Sequence, residues 1–327
     1  MPEISSSKAN LWSKLGSRAT YGQAISMLAE EDQDMLAMSA DLGNSSGLAP
    51  FIRKFPDRFV NVGIAEQNMI GVASGLAKEG YKPFVSSFAP FLSMRASEQI
   101  RMEMGYMQFN VNVVALGSGL AMGFLGNSHF GLEDVSIMRS IPNLTIISPA
   151  DCSEIVKTVF ACAQYTGPTY IRLTGAVGNP PVYFDDYKFQ IGKSIKLKKG
   201  EDLSIIASGS MVYHSIEAAK ILNERGISAE VINMHTIKPL DQKSLKQVFK
   251  SKKLIVTVEE HTIVGGLGSS VLEFKNSIGS NTPQLILGLN DNFGKTAEYN
   301  HLLKLHGLTG KPIAQKIERY FKKISQS

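Results

Sequence analysis

Between Ser17 and Arg172, short apolar, β-branched runs alternate with longer stretches in which apolar residues recur every three or four positions. The runs MLAMSAD, FVNVG, PFVSSF, VNVVALG, LTIISPA and TYIRL read as strands. The stretches ATYGQAISMLAEE, AEQNMIGVASGLAKEG, FLSMRASEQIRMEM, LEDVSIMRSI and DCSEIVKTVFACAQ read as amphipathic helices. Strands alternating with helices over short connections predict a parallel sheet covered by helices, a doubly wound α/β domain.

The alternation breaks at GAVGNPPVYFDDYKFQIGKSIKLKKGED, where prolines, glycines and lysines cluster without a helical period, and this stretch reads as a linker. A second α/β unit follows, with LSIIAS, AEVINM and LIVTVE as strands, YHSIEAAKILNERG as a helix stopped by Gly226, and KPIAQKIERYFKKI as a closing amphipathic helix. The expected organisation is an N-terminal extension over 1–16, a first domain over 17–178, a linker over 179–200 and a smaller domain over 201–327. A chain of 327 residues accords with two domains of about 150 residues each.

Composition narrows the function classes. Hydrophobic residues at 43% and charged residues at 19% are ordinary for a soluble protein. No segment approaches the ~20 apolar residues that span a bilayer, and MPEISSSKANLWSK carries no apolar signal core. No membrane partner and a cytoplasmic location are therefore expected. The net charge of +5 gathers in KFQIGKSIKLKKG and the last twenty residues, which reads as a solvated basic face rather than a nucleic-acid surface. Cys152 and Cys162 form no CxxC pair and lie in an apolar helical stretch, so they read as buried thiols. No metal ligand is expected from this chain.

Candidate chemistry concentrates in FVNVGIAEQNMIGVASGLAKEGYKPFVSSFAPFLSMRASEQIR. A strand and a tight glycine turn lead into a helix whose first turn holds Glu66, and Phe88 and Phe91 fall near the C-terminal edge of the sheet, where open α/β sheets bind ligands. The residues alone allow two readings. Glu66 caps its own helix and the rings are core, or a carboxylate stands beside aromatic rings in a ligand crevice.

A series of ordered motifs favours the second. GIAEQN, together with SADLGNS, FLGNSHFGLEDVSIMRSIPNLTIISPAD, HTIKPLD and VEEHTIVGGLGSSV, resembles the C-terminal half of the transketolase family and is similar also to 1-deoxyxylulose-5-phosphate synthase. The resemblance covers nearly all of the chain after Ser17. It implies a thiamine diphosphate-binding, pyrimidine-type fold followed by a smaller transketolase C-terminal α/β domain. The implied activity is transfer of a two-carbon ketol unit between sugars. Glu66 would then hydrogen-bond N1′ of the cofactor's aminopyrimidine, with Phe88, Phe91 and Met94 packing the ring and Asp41 and Leu42 of SADL as further cofactor contacts. His129 would face the reacting oxygens of the donor, and Ser45, Tyr21 and Leu125 would fall on the substrate side.

Two departures from the family pattern carry expectations of their own. No GDG motif occurs in the chain, so the ligands of Mg2+, and through it of the diphosphate, are expected from a separate N-terminal subunit carrying that motif. An α2β2-type assembly, with self-association across a two-fold, follows from the resemblance. The family's phosphate-gripping positions align with Tyr21, Gly117 and Gly175, and its hydroxyl-reading aspartate with Leu125, while Arg172 lies three residues before Gly175 as a weak substitute. The acceptor is therefore expected to lack a terminal phosphate or to carry its charge elsewhere. Two other readings compete: the beta subunit of a 2-oxoacid dehydrogenase, and a non-catalytic scaffolding relative. Of the remaining histidines, His261 reads as structural, and His214, His235, His301 and His306 carry less.

Overall fold

A computed structural model describes residues 1–326. Its first sheet orders seven strands as β10-β5-β6-β4-β3-β1-β2 and its second orders five as β12-β11-β8-β9-β7. The first holds β1 (Met35–Ser39), β2 (Phe59–Asn61), β3 (Lys82–Phe88), β4 (Asn112–Leu116), β5 (Thr145–Ile147) and β6 (Thr169–Arg172) in parallel pairs. The central strands β1, β4, β5 and β6 are buried at every position, as expected where helices cover both faces of a parallel sheet.

The second sheet contains β7 (Ile195–Lys198), β8 (Leu203–Ala207), β9 (Ala229–Asn233), β11 (Leu254–Thr262) and β12 (Gln284–Leu289). β7 lies inside the stretch read as linker and pairs antiparallel with β9 at the sheet edge. β10 (Thr236–Lys238) leaves the second half of the chain and pairs antiparallel with β5, so both halves contribute to the first sheet.

Two further features differ from the sequence pattern. FLSMRASEQIRMEM is not one α-helix but π-helical turns at Phe91–Arg95 and Ile100–Tyr106 around a single α-turn, Ser97–Gln99. Such widened turns are frequent at functional sites, because the extra residue per turn re-aims the side chains that follow. The first helix runs Ser6–Glu31, and its Ala9 and Trp12 are buried, Trp12 in the first domain's core with Ile25 and Leu28. It is broken at Gly16, whose φ of 80° and ψ of 171° start a fresh helical segment at Ser17.

Cys152 and Cys162 are free and buried, and burial pushes both thiols up to about 12. Among the described residues no helix is long and apolar enough to cross a membrane.

Candidate active site

The site is assembled at the C-terminal ends of β1 to β4. After β2 the chain turns at Gly63, with φ of 73°, and enters the helix Glu66–Lys78. Asn61 Oδ1 accepts from the Gly63 and Asp41 amides at 3.1 and 2.9 Å, which ties this turn to the SADL loop. Asp41 is exposed and adopts left-handed φ of 58°, a conformation that Asp tolerates. Leu42 packs against the first domain's core instead of opening into the crevice.

Glu66, the first residue of its helix, is only 2% exposed. Its Oε2 accepts from Arg95 Nη1 at 2.8 Å and its Oε1 from Ser87 Oγ at 3.4 Å. Arg95 reaches it from the π-turn, half exposed, with its guanidinium 4.3 Å from the centre of the Phe91 ring. Phe88 and Phe91 meet edge to face with centroids 5.9 Å apart, and the His129 imidazole lies 5.4 and 5.3 Å from them. His129 Nδ1 is 2.9 Å from Ser128 Oγ. Met94, Phe91 and Arg95 line a crevice of about 570 Å³ with Asn127, Ser128 and Glu133. The fold thus brings Glu66, Phe88, Phe91, Met94 and His129 to one place from four separate segments.

A second crevice, of about 500 Å³, includes Ser45, Gly117 and Gly175 among its lining residues. A Cβ on Gly117 would come within 3.5 Å of the Phe88 ring, which in turn packs against Phe91 of the first crevice. Glu298 and Tyr299 of the second domain line this crevice too.

Three positions fall elsewhere than the sequence reading put them. Tyr21 is fully buried, with its hydroxyl 2.7 Å from Ser86 Oγ, and burial pushes its phenol upward; it is a core residue and lines neither crevice. Leu125 is half exposed on the His129 loop and also lines neither. Arg172 points inward at 2% exposure: its Nε donates to both Asp134 oxygens at 3.0 and 2.9 Å, and its Nη2 to Gly131 O and Glu260 O. A guanidinium so engaged is not a substrate contact.

The sequence reading missed Arg18, which lines the second crevice and donates to Ser45 O at 3.0 Å. The break at Gly16 places Arg18 in the first turn of the renewed helix, at the crevice mouth, with Tyr21 one turn deeper in the core. The glycine before an arginine was the available signal. His261 is structural: its Nδ1 donates to Thr262 O at 2.7 Å, and its Nε2 accepts from the Val135 amide at 3.2 Å at the start of the helix Asp134–Arg139. Burial, then the nearby Arg172 charge, lower its pKa to about 4.

A buried carboxylate with aromatic rings beside it fits the aminopyrimidine end of thiamine diphosphate. The magnesium end is different: among the described residues no group of three or more His, Cys, Asp or Glu could hold a metal ion.

Comparison with known proteins identifies the family. Residues 13–177 match the family model of the transketolase pyrimidine-binding domain and residues 192–313 that of the transketolase C-terminal domain. The chain is 35% identical to one of the subunits of the apulose-4-phosphate transketolase of Phocaeicola vulgatus, over 94% of this chain and 97% of that protein. It is 36% identical to the 6-deoxy-6-sulfo-D-fructose transketolase subunit of a Clostridium species, over 91% and 92%. A solved structure described as a split-gene transketolase, an inactive beta4 tetramer, superposes with a TM-score of 0.84 at 38% identity, covering 94% of this chain and 98% of that one. The chain belongs to the thiamine diphosphate-dependent transketolase family, as the kind of subunit that carries its pyrimidine-binding and C-terminal domains.

Proposed function

We propose that this chain forms the pyrimidine-side wall of a cofactor site completed by a separate, GDG-bearing subunit, in a cytoplasmic α2β2 transketolase that moves a ketol unit between sugars. The observation that carries the reading is Glu66: a carboxylate only 2% exposed, bonded to Arg95, which lies over the Phe91 ring and lines a crevice with it. Relatives matched over nearly their whole length are named as transketolase subunits, which supports a partner chain. That partner is the proposed source of the Mg2+ ligands.

When bound, thiamine diphosphate supplies the electron sink for breaking the bond next to a ketose carbonyl. Glu66 would share a proton with a nitrogen of the aminopyrimidine ring. Phe88, Phe91 and the thioether of Met94 keep water from that proton, which strengthens the hydrogen bond. His129, edge-on to both rings, is placed to donate to an oxygen of the sugar where negative charge develops. Asp41, through its backbone, holds the turn leading to Glu66.

The acceptor side is the crevice lined by Arg18 and Ser45. Because Tyr21 is buried away from it, the residue there says nothing about phosphate, and the case for an unphosphorylated acceptor rests on Gly117 and Gly175 alone. One guanidinium and a hydroxyl give a phosphate a single charged partner instead of a multi-arginine clamp. The test is ketol transfer by this chain mixed with its GDG-bearing partner, using paired phosphorylated and unphosphorylated acceptors, for wild type and Arg18→Ala. The reading predicts activity only in the mixture, and a KM that rises in Arg18→Ala for the phosphorylated acceptor alone. Full activity of the isolated chain would overturn it.

A further inference from the structure

The loop that carries His129 is held by turn hydrogen bonds of its own, such as His129 N to Gly126 O at 2.9 Å, but has little regular secondary structure. Residues 119–131 leave the end of β4 and return on themselves, closed by Gly119 N to Gly131 O at 2.8 Å and Gly131 N to Gly119 O at 3.2 Å. Inside that closure the regular structure is one short 3-10 turn, Gly126–Ser128.

Several further anchors come from the second domain. Glu260 Oε1, at the end of β11, accepts from the Leu120 amide at 2.7 Å. Ala297 N donates to Gly123 O at 3.2 Å, and Asn127 Nδ2 donates to Gly294 O at 2.9 Å. The fit is close as well as bonded. A Cβ at Gly119 would lie 2.3 Å from Glu260 Oε1, one at Gly123 2.2 Å from Ala297 O, and one at Gly126 2.3 Å from the Thr296 methyl. The loop is glycine-rich where the second domain presses on it.

Glu260 is the centre of this contact. It is 1% exposed, and its second oxygen accepts from Tyr299 Oη at 2.7 Å and from Ser210 Oγ. Arg172 bridges its backbone carbonyl to Gly131 O, the other end of the loop. Thus one buried carboxylate joins β11, Tyr299 at the crevice wall, and the loop whose imidazole stands against Phe88 and Phe91.

We propose that Glu260 is a positioning residue for ketol transfer: the second domain sets the 119–131 loop, and through it His129, without touching the reacting atoms. The proposal rests on the reading of His129 given above, and it assigns the C-terminal domain a part in the reaction. A misplacement of about 1 Å is enough to lower turnover by about 10²-fold, and Glu260→Ala leaves the Leu120 amide without its acceptor.

The test uses the reconstituted two-subunit enzyme and, separately, the isolated chain. Glu260→Ala should lower kcat about 10²-fold, with proton exchange at the cofactor's C2 at the wild-type rate. Glu260→Gln, whose amide oxygen still accepts from Leu120, should recover most of the loss. In a His129→Ala background the same Glu260 change should have no further effect, because neighbours acting through one group are not additive. If Glu260→Ala does not fold, Tyr299→Phe removes one donor from the carboxylate and should show a smaller loss with the same coupling. A Glu260 or Tyr299 effect that multiplies the His129→Ala loss overturns the proposal.

Ring signals of 15N-histidine in the isolated chain separate the two claims. If His129→Ala leaves turnover intact while the His129 resonances shift in Glu260→Ala or Tyr299→Phe, the reading of His129 fails and the positioning stands. If His129 is essential but its resonances stay in place in those variants, the positioning fails.

Discussion

Replacing Arg172 with methionine is expected to unfold the first domain under much milder conditions and to do little to acceptor recognition. The side chain is buried and makes four hydrogen bonds: two from Nε to the Asp134 carboxylate, and two from Nη2 to Gly131 O at 2.9 Å and Glu260 O at 2.7 Å. Methionine fills comparable space but donates nothing. Asp134, fully buried, would keep Tyr170 Oη at 3.1 Å as its side-chain donor. Leaving one member of a buried ion pair uncompensated costs about 3–5 kcal/mol, against a total stability of about 5–15 kcal/mol. Trp12 is the sole tryptophan and is buried in that domain, so its fluorescence in a urea titration reports the loss directly. With a urea slope of about 1–3 kcal/mol per molar, the midpoint should fall by about 1 M or more. Adding Asp134→Asn should return part of the loss, since it removes the stranded charge. An unchanged midpoint with a selectively raised acceptor KM would refute the reasoning and return Arg172 to the substrate site.

Two other outcomes follow from the same structure. His129→Ala should reduce kcat by the loss of one hydrogen-bond donor to a developing oxyanion, about 2.7–4 kcal/mol, while thiamine diphosphate affinity measured by calorimetry on the reconstituted enzyme stays near wild type. Glu154 accepts from the Ala150 amide, Asn233 Nδ2 and Tyr187 Oη, yet burial outweighs these bonds and raises its pKa from 4.5 to about 7. A folded pKa above the unfolded one means that its proton is held more tightly in the native state, so its contribution is greatest below pH 4.5 and is lost as pH rises to about 7. Denaturant titrations across that window should show the decline, on the order of 3 kcal/mol, flattened in Glu154→Gln; an identical slope in the variant would contradict the assignment.

The elements legible in the sequence were those whose burial is dictated locally. Six strands of the first sheet and three of the second announced themselves as largely apolar, β-branched runs; all of them but β2 are buried along nearly their whole length, as strands covered on both faces are. What escaped depended on distant partners. β7 is IKLK, half polar and half exposed, and becomes a strand only by pairing with β9. β10 is three residues long and exists through β5, about ninety positions earlier. The π-turns after β3 keep a helical composition while changing which residues face the site, so Arg95 beside Glu66 was invisible to a 3.6-residue period. At the site, the motif residues around Glu66 converge as a group, whereas residues placed one at a time by alignment fared worse. Tyr21 turned into the core and Arg172 into an internal ion pair, because neither periodicity nor strand alternation carries the kink at Gly16 or the buried Asp134. The second domain's hold on the His129 loop rests on contacts up to about 170 positions apart, which no local pattern contains.

The central claim is that Glu66 is the carboxylate that works on the cofactor's aminopyrimidine, and hydrogen–deuterium exchange at the thiazolium C2 reports it without any sugar present. In the enzyme reconstituted from this chain and its proposed GDG-bearing partner, Glu66→Gln should slow that exchange by about 10²–10⁴-fold, the usual contribution of positioned proton transfer, with assembly and melting unchanged. Exchange at the wild-type rate in the Glu66→Gln enzyme would contradict the account.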